Sequence, residues 1–372
     1  MVAELQRHLS ELKPPPIPVR SSSRSLPRGA CLNYKEMESN QNKSRGISMM
    51  LRWRVGGSAP VALCRWSDAV VTDTTIYFKN GYSPEVYEYD SIHNNWHQVI
   101  ECCCQGCSLV LVNNMLTAVG GWNANQLFSL VSEKDSDLSV EPNLPNNDTW
   151  YWAELFPPMP TKRCWTTCLS SESVLIVAGG EGPTEEEKVM TTVEVMDTSS
   201  LQWSTAASLP SGLKIASATL CNSRVYLLGG KTSGGRSSTT AFSCSLGDLL
   251  QSSHSQLPDE DSEGTTETSD VAKLNKDVWS IMANLPLVDC TCVSLCGQLL
   301  AVGGRSLGEN GSCSTAVNLY HVDTNTWEEI SNMAIGRSSC FAAVLPDDQL
   351  MVVGGMVIGD MCTRTIKFAT VL

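Results

Sequence analysis

Short apolar stretches that end in glycine pairs recur along the chain. One of them, Val-Leu-Ile-Val-Ala-Gly-Gly at residues 174–180, is followed by Val-Glu-Val-Met-Asp at 193–197 and then by Trp203. Apolar runs of this length, bounded by glycine, predict buried β-strands. Related stretches end in glycine pairs at 120–121, 229–230, 303–304 and 354–355, and a weaker copy ends in Lys-Asn-Gly at 79–81. A period of roughly 50 residues predicts a modular β-array.

The predicted strands group into six repeats. Five repeats hold four strands each, and the sixth, which begins near residue 340, holds only three. A strand predicted at 51–55 precedes the first repeat and carries Trp53, in the position where other repeats place a tryptophan. We expect this strand to pair with residues 365–370 as the missing fourth strand, because closing the ring removes the exposed edges of a linear array.

The repeats resemble those of the kelch family. The family's phrase is an apolar strand, a glycine pair, a second strand ending in tyrosine or a similar residue, and a tryptophan. Tyr89, Met196 and Tyr320 each stand seven positions before a tryptophan. The resemblance covers residues 51–372 and implies an all-β fold, a six-bladed kelch β-propeller closed by an N-terminal strand. The glycine pairs and tryptophans are then structural, and we assign the propeller to residues 49–372.

Three polar regions are expected to lie outside this repeat pattern. Residues 1–48 contain clustered prolines and serines and few apolar residues, so we predict a disordered tail. Insertions interrupt the second and fourth repeats at about 132–149 and 247–277, and the latter includes the acidic stretch 258–270. We expect that stretch to be a solvated loop, with docking of a basic partner as the lesser alternative.

Charge and hydropathy limit the classes of partner. The chain has a formal net charge of −13. An acidic protein is poorly suited to nonspecific binding of nucleic acid or anionic membranes, so we expect neither partner. The sequence has no apolar run of about 18 residues, and Glu4 and Arg7 stand where a secretory signal needs an apolar core. We therefore expect a cytoplasmic protein without a membrane span.

Sixteen cysteines are expected to be reduced thiols, because a large intracellular chain is not a disulfide scaffold. Five of them lie in predicted apolar strands, where a thiol acts as a small hydrophobe; these are Cys168, Cys221, Cys292, Cys296 and Cys340. The sequence Cys-Cys-Cys-Gln-Gly-Cys at 102–107 leaves zinc binding and a redox-reactive thiol open as alternatives. Packing and loop roles are favoured, so we expect neither a metal nor a cofactor.

The loops at one mouth of the central channel form the candidate binding site. These loops join one blade to the next and the second strand of a blade to the third. The residues placed before each first strand are Arg65, Gln105, Arg163, Lys214, Asp289 and Arg337, and those after the glycine pairs include Trp122, Glu181, Lys231, Arg305 and Met356. From these we select Arg65, Trp122, Arg163, Lys214, Arg305 and Arg337 as a binding site for an acidic peptide segment. In the alternative, some of the arginines bind loop carbonyls between blades.

The resemblance implies a non-catalytic protein-interaction platform. One candidate role is a substrate-recruiting adaptor in a ubiquitin ligase, although kelch domains in that role usually follow a BTB domain, which we do not expect in the fifty residues before the propeller. A sugar or small-molecule enzyme using the channel and an actin or cytoskeletal scaffold are the alternatives. Copper chemistry needs imidazoles at the channel, and none of the five histidines is predicted there. The sequence does not identify the partner or the oligomeric state.

Overall fold

A computed structural model describes residues 49–62, 68–72, 75–79, 84–132, 150–171, 173–184, 189–254, 278–307, 311–345, 347–357 and 361–371. Within these ranges, 24 strands form six four-stranded antiparallel sheets. The predicted tail at 1–48, the acidic stretch 258–270 and the candidate residue Arg65 all lie outside the described residues.

The strands follow the repeat order along the chain. The closing strand is β1 (Leu51–Ser58), and blade one comprises β2 (Asp68–Val71), β3 (Thr75–Lys79), β4 (Glu85–Asp90) and β5 (Asn95–Glu101). Blade two comprises β6 (Ser108–Val112), β7 (Met115–Gly121), β8 (Ala124–Ser132) and β9 (Trp150–Glu154), and blade three comprises β10 (Thr167–Ser170), β11 (Val174–Ala178), β12 (Val193–Asp197) and β13 (Gln202–Ala206). Blade four comprises β14 (Ser217–Cys221), β15 (Arg224–Leu228), β16 (Ala241–Ser245), helix α1 (Leu246–His254) and β17 (Ser280–Ile281). Blade five comprises β18 (Thr291–Leu295), β19 (Gln298–Val302), β20 (Ala316–His321) and β21 (Thr326–Asn332), and blade six comprises β22 (Phe341–Val344), β23 (Leu350–Val353) and β24 (Thr365–Val371).

The two ends of the propeller meet in blade six, as predicted. Strand β1 pairs antiparallel with β24, with Trp53 opposite Ala369 and Val55 opposite Lys367. The resulting sheet has the order β1-β24-β23-β22, so the N-terminal strand supplies the outermost position. The first strands of the six blades contact one another in turn, and β22 contacts β2 to complete the circle. Together they enclose a central channel of about 620 Å³.

Tryptophans on the fourth strands join neighbouring blades. The indole Nε1 of Trp203 donates to the Pro157 carbonyl oxygen at 3.0 Å, and its ring packs against the core shared by blades two and three. Trp53 donates to Ser331 Oγ at 3.0 Å, which ties the closing strand to blade five. The same donation to a preceding blade is made by Trp152, Trp279 and Trp327. The predicted structural role of the tryptophans is therefore confirmed at these positions.

The glycine pairs allow close approach between blades. Gly179 has a φ of +60°, and a Cβ there would collide with the carbonyl oxygen of Leu213 at the start of blade four. The next residue, Gly180, donates its backbone N–H to that same oxygen at 2.9 Å. A side chain at Gly179 would therefore break the contact between blades three and four.

Helix α1 was not predicted from the sequence. It occupies the start of the insertion in blade four, where only a polar insertion was expected. Leu249 is fully buried in the core between blades three and four, and Ser252 Oγ accepts a hydrogen bond from the Ala207 backbone N–H at 3.0 Å. At nine residues the helix is too short to give a strong periodic signal.

Candidate functional site

Backbone bridges fix which residues surround the channel mouth. In each of four blades, a residue shortly before the first strand pairs with the residue directly after the glycine pair. The bridged pairs are Cys164 with Glu181, Lys214 with Lys231, Val288 with Arg305, and Ser338 with Met356. The loops selected from the sequence therefore do converge on one mouth.

The residue after each bridge lies in the left-handed region and lines the channel. Trp165, Ile215, Asp289 and Ser339 all have φ between 48° and 57°. Backbone hydrogen bonds join these positions around the mouth, since Ile215 N–H donates to Trp165 at 3.0 Å and Ser339 N–H donates to Asp289 at 2.8 Å. This geometry corrects the register predicted from the sequence. Lys214 is itself a bridged residue, whereas Arg163 and Arg337 lie one position before the bridged residues of their blades and Asp289 lies one position after.

Arg163 and Arg337 lie inside the protein. Their exposed fractions are 1% and 0%. Arg163 Nη1 donates to the carbonyl oxygens of Gly179 and Thr192 at 3.0 and 3.2 Å, and its Nη2 lies 3.0 Å from Glu194 Oε1. Burial lowers the pKa of the Arg163 guanidinium, and Glu194 acts in the opposite direction.

Arg337 makes the equivalent contacts in blade six. Its Nη1 donates to the carbonyl oxygens of Gly354 at 2.8 Å and Thr365 at 3.2 Å, and its Nη2 donates to Thr365 Oγ1 at 3.0 Å. The expectation that Arg163 and Arg337 face a partner is therefore corrected: both follow the alternative in which arginine binds loop carbonyls. The reason is the register, because a residue one position before the bridge points between blades.

A cluster of charged residues does lie at the mouth, between blades four and five. Asp289 Oδ1 is 3.2 Å from Lys231 Nζ, and its Oδ2 accepts a hydrogen bond from Arg305 Nε at 2.7 Å. Ser237 Oγ donates to Asp289 at 3.2 Å and accepts from Arg305 Nη2 at 3.2 Å. Burial acts to raise the pKa of Asp289, but Lys231 and Arg305 hold it below its usual range. The cluster joins blades four and five and keeps Arg305, the most exposed of the three charged groups, at the surface.

Lys214 lies in a separate ion pair between blades three and four. Its Nζ contacts Glu181 Oε2, and both side chains are 18% exposed. Glu181 follows the glycine pair of blade three and Lys214 precedes the first strand of blade four. The pair can therefore be reached from solvent while it also joins two blades.

Trp122 is an exposed aromatic residue at the same mouth. It is 59% exposed, and its ring meets the buried Trp165 edge-on with centroids 6.1 Å apart. Its backbone N–H donates to the Gln105 carbonyl oxygen at 3.0 Å, which fixes the loop after β7. A large indole that stays in solvent is suited to serve as an anchor for a partner.

The roles of the acidic residues in this site were not predicted from the sequence. Glu181 and Asp289 were placed at the mouth but were given no role, and Ser237 was not noted. Asp289 contacts residues 16 and 52 positions away in sequence. The sequence carries no local signal for such pairs, since they form only when two blades are adjacent.

The described histidines of blades one and five lie away from the mouth. His93 Nδ1 and His321 Nε2 each contact a nearby carboxylate at 2.6 Å, on the outer parts of blades one and five. Cys221, Cys292 and Cys340 are buried as expected, and burial raises the pKa of Cys292 to about 12. Cys296 was wrongly placed in an apolar strand, because it is exposed in the turn between β18 and β19 with a φ of 49°.

Six blades with glycine-pair turns and tryptophans between blades define a repeat-type β-propeller with a charged channel mouth. A Kelch motif family model matches residues 286–334, which enclose blade five. Kelch-like protein 41b of Danio rerio is 26% identical over 261 residues, covering 70% of this chain and 37% of that protein. Kelch-like protein 38 of Mus musculus is 30% identical over 179 residues, covering 41% of this chain and 30% of that protein.

A solved structure supports the fold. The chain titled "Structure of YjhT" superposes with a TM-score of 0.58 at 14% identity and covers 85% of this chain and 99% of its own length. The protein is thus a kelch-repeat β-propeller protein. It spans well under half the length of the curated relatives given above. No helix in the described part is both long and apolar enough to cross a membrane.

Proposed function

We propose that this chain is a non-catalytic protein-interaction platform that binds a segment of a partner protein at the channel mouth. The proposal is carried by the basic groups Lys214, Lys231 and Arg305 on blades four and five, which lie at the same mouth as the exposed Trp122. The similarity to kelch-like proteins supports a role in protein binding.

The charges at the mouth favour an acidic segment. The basic groups Lys214, Lys231 and Arg305 outnumber their two acidic partners, Glu181 and Asp289, so the cluster is net positive on a chain of formal charge −13. Asp289 and Ser237 accept hydrogen bonds from Arg305 Nε and Nη2, and the Arg305 side chain keeps 23% of its surface exposed as an edge for a partner. A partner carboxylate that met this edge would form a charge-assisted hydrogen bond. Arg65 stays a candidate for the same role in blade one.

The channel lining supports binding over catalysis. Among the described residues that line the channel, Asp289 is the sole carboxylate and no histidine is present. Asp289 is already neutralised by two cations, so it is a poor general base. A sugar-processing or lyase reaction needs an acid and a base with separated pKa values, and this lining offers no such pair.

A finer role is that of an intracellular adaptor that recruits a substrate, for example to a ubiquitin ligase. The fourteen described cysteines form no disulfide bonds with one another, which suits a reducing compartment. The adaptor role predicts that a partner held at the mouth is turned over faster when this chain is abundant. The abundance of the partner should return to normal when Lys214→Glu or Arg305→Glu replaces the unmodified chain.

The test uses the full chain and an array of acidic peptides with charge-reversed counterparts. Lys214→Glu and Arg305→Glu should each abolish binding to the acidic peptides. Arg54→Glu is the matched control, because Arg54 is exposed on the closing strand beside Gln349, away from the mouth. Equal loss in all three variants would indicate a general charge effect. Unchanged binding in the two mouth variants would contradict the proposal.

A further inference from the structure

Four cysteines lie in the loop that joins blades one and two, between β5 and β6. Cys102 Sγ and Cys107 Sγ are 3.4 Å apart, and Cys103 Sγ and Cys104 Sγ are 3.8 Å apart. The sulfur atoms of Cys102, Cys104 and Cys107 all lie within 4.8 Å of one another. Within the described residues, this is the one group of three or more histidine, cysteine or acidic residues that is close enough to hold a metal ion.

The spacing of these sulfur atoms fits a zinc–thiolate centre. A zinc ion with Zn–S bonds of about 2.3 Å in a tetrahedron places its sulfur ligands roughly 3.8 Å apart. The Cys102–Cys107 and Cys103–Cys104 separations are 3.4 and 3.8 Å, and Cys102, Cys104 and Cys107 all lie within 4.8 Å of one another. A disulfide would need a sulfur separation of about 2.05 Å.

The loop is held in place before any ion binds. The Cys102 backbone N–H donates to the Pro84 carbonyl oxygen at 2.5 Å, and the Cys107 thiol lies 3.1 Å from the Cys104 carbonyl oxygen. Gly106 has a φ of +70°, and the Trp122 ring covers it so closely that a Cβ would lie 3.3 Å from the indole. Three sulfurs fixed in this way reduce the entropy lost on metal binding.

The electrostatic surroundings suit a negatively charged centre. A zinc ion with three or four thiolates has a net negative charge, which is unfavourable in a buried site without a nearby cation. Lys79 is 99% buried at the end of β3 and acts electrostatically on Cys107. Cys102 and Cys107 are buried, Cys104 is half-buried and Cys103 is exposed, so an ion can enter from the Cys103 side.

We propose that this loop is a zinc site in which Cys102, Cys104 and Cys107 are the protein ligands. The exposed thiol of Cys103, 3.8 Å from Cys104, is placed to complete the tetrahedron after a side-chain rotation. The site lies directly beneath Trp122, so the ion would fix the loop that supports this indole. This inference does not depend on the proposed docking function, because it concerns metal uptake by the isolated chain.

The first experiment measures metal binding by the full chain. The protein is purified with reductant, stripped with a chelator and titrated with zinc alone, with a chromogenic chelator as competitor. We expect one zinc per chain, and cobalt should give a sulfur-to-metal charge-transfer band. Cys104→Ser should weaken zinc binding by more than about tenfold. Removing a metal ligand should lower the affinity at least as much as removing a residue that only hydrogen-bonds to a ligand. Cys296→Ser is the matched control, because Cys296 is an exposed cysteine on blade five, and it should bind zinc normally.

A second measurement protects the test against variants that fail to fold. The unmodified chain is labelled with a maleimide in the presence and absence of zinc, and each cysteine is followed by mass spectrometry. Zinc should slow the labelling of Cys103 and Cys104 and leave Cys296 unchanged. Equal labelling of Cys103 and Cys104 with and without zinc would overturn the proposal. So would a stripped, reduced chain that binds no more zinc than the Cys104→Ser variant.

Discussion

Replacing Arg337 by alanine tests whether this arginine is a structural residue and not a contact for a partner. Its side chain is fully buried and makes three hydrogen bonds, to the carbonyl oxygens of Gly354 and Thr365 and to Thr365 Oγ1. Its own carbonyl oxygen accepts the N–H of Gly304 at 2.9 Å. The residue therefore links blade five to both the second and third strands of blade six.

The expected loss of stability follows from two opposing contributions. Hydrogen bonds from a charged group contribute about 1.5–3 kcal/mol each. Burying the guanidinium opposes this by several kcal/mol. Truncation also removes this donor from the buried Gly354 carbonyl oxygen, and an acceptor left unsatisfied costs about 1–3 kcal/mol, whereas the Thr365 carbonyl oxygen keeps the Gly354 N–H at 3.2 Å. We therefore expect Arg337→Ala to lower the free energy of unfolding by about 3–5 kcal/mol, because the hydrogen bonds of the charged group outweigh the cost of burying it.

The assay is urea denaturation of the full chain, followed by tryptophan fluorescence and circular dichroism. Arg305→Ala is the matched control, because Arg305 is partly exposed and its ion pair with Asp289 should contribute only about 0–1 kcal/mol. Arg337→Lys should recover little, since an ammonium cannot reproduce the forked geometry of the guanidinium. If Arg337→Ala unfolds within about 1 kcal/mol of the unmodified chain, the structural role is refuted.

Three further predictions concern ring closure, blade contacts and pH. Trp53→Ala should lower the free energy of unfolding by about 2 kcal/mol in the same assay. This loss is smaller than for a fully buried tryptophan because the Trp53 ring is only half-buried. A smaller loss for Trp53→Ala than for Trp122→Ala would contradict ring closure through β1. Gly179→Ala should lower the midpoint far more than Gly234→Ala, since both have positive φ but only the former meets a backbone oxygen. Asp289 has a lowered pKa in the fold, so its stabilisation is present above the unfolded pKa of about 4 and is lost as pH falls through the folded value. The stability difference between the unmodified chain and Asp289→Asn should therefore shrink below about pH 4, and a difference independent of pH would contradict the role of the ion pairs.

The repeat pattern was sufficient to predict the number of blades and the closing strand. Both depend on features that lie within one repeat, an apolar strand, a glycine pair and a tryptophan, and each has a local physical cause. The unpaired strand around Trp53 was informative because a missing fourth strand in blade six would leave an open edge. The pairing of Trp53 with Ala369 confirms this reasoning.

The binding residues were harder to predict because a shift of one position changes the direction of a side chain. Counting from the start of each first strand grouped Arg163, Lys214 and Arg337 together. The backbone bridges instead place Arg163 and Arg337 one position before the residue equivalent to Lys214. The sequence contains no marker for these bridges, since each forms across a loop of different length.

Comparison of equivalent positions contains a signal that could have identified the buried arginines. Counted back from the bridges, Arg163 and Arg337 correspond to Leu213 and Leu287 in blades four and five. Leu213 is 1% exposed, so this position points between blades. A position that accepts both leucine and arginine in one propeller indicates a buried site where the guanidinium replaces apolar packing by hydrogen bonds to carbonyl oxygens. Leucine at the equivalent positions therefore argues against Arg163 and Arg337 as binding residues, whereas the choice of Lys214, whose equivalents are Cys164, Val288 and Ser338, rests on its exposure in the structure.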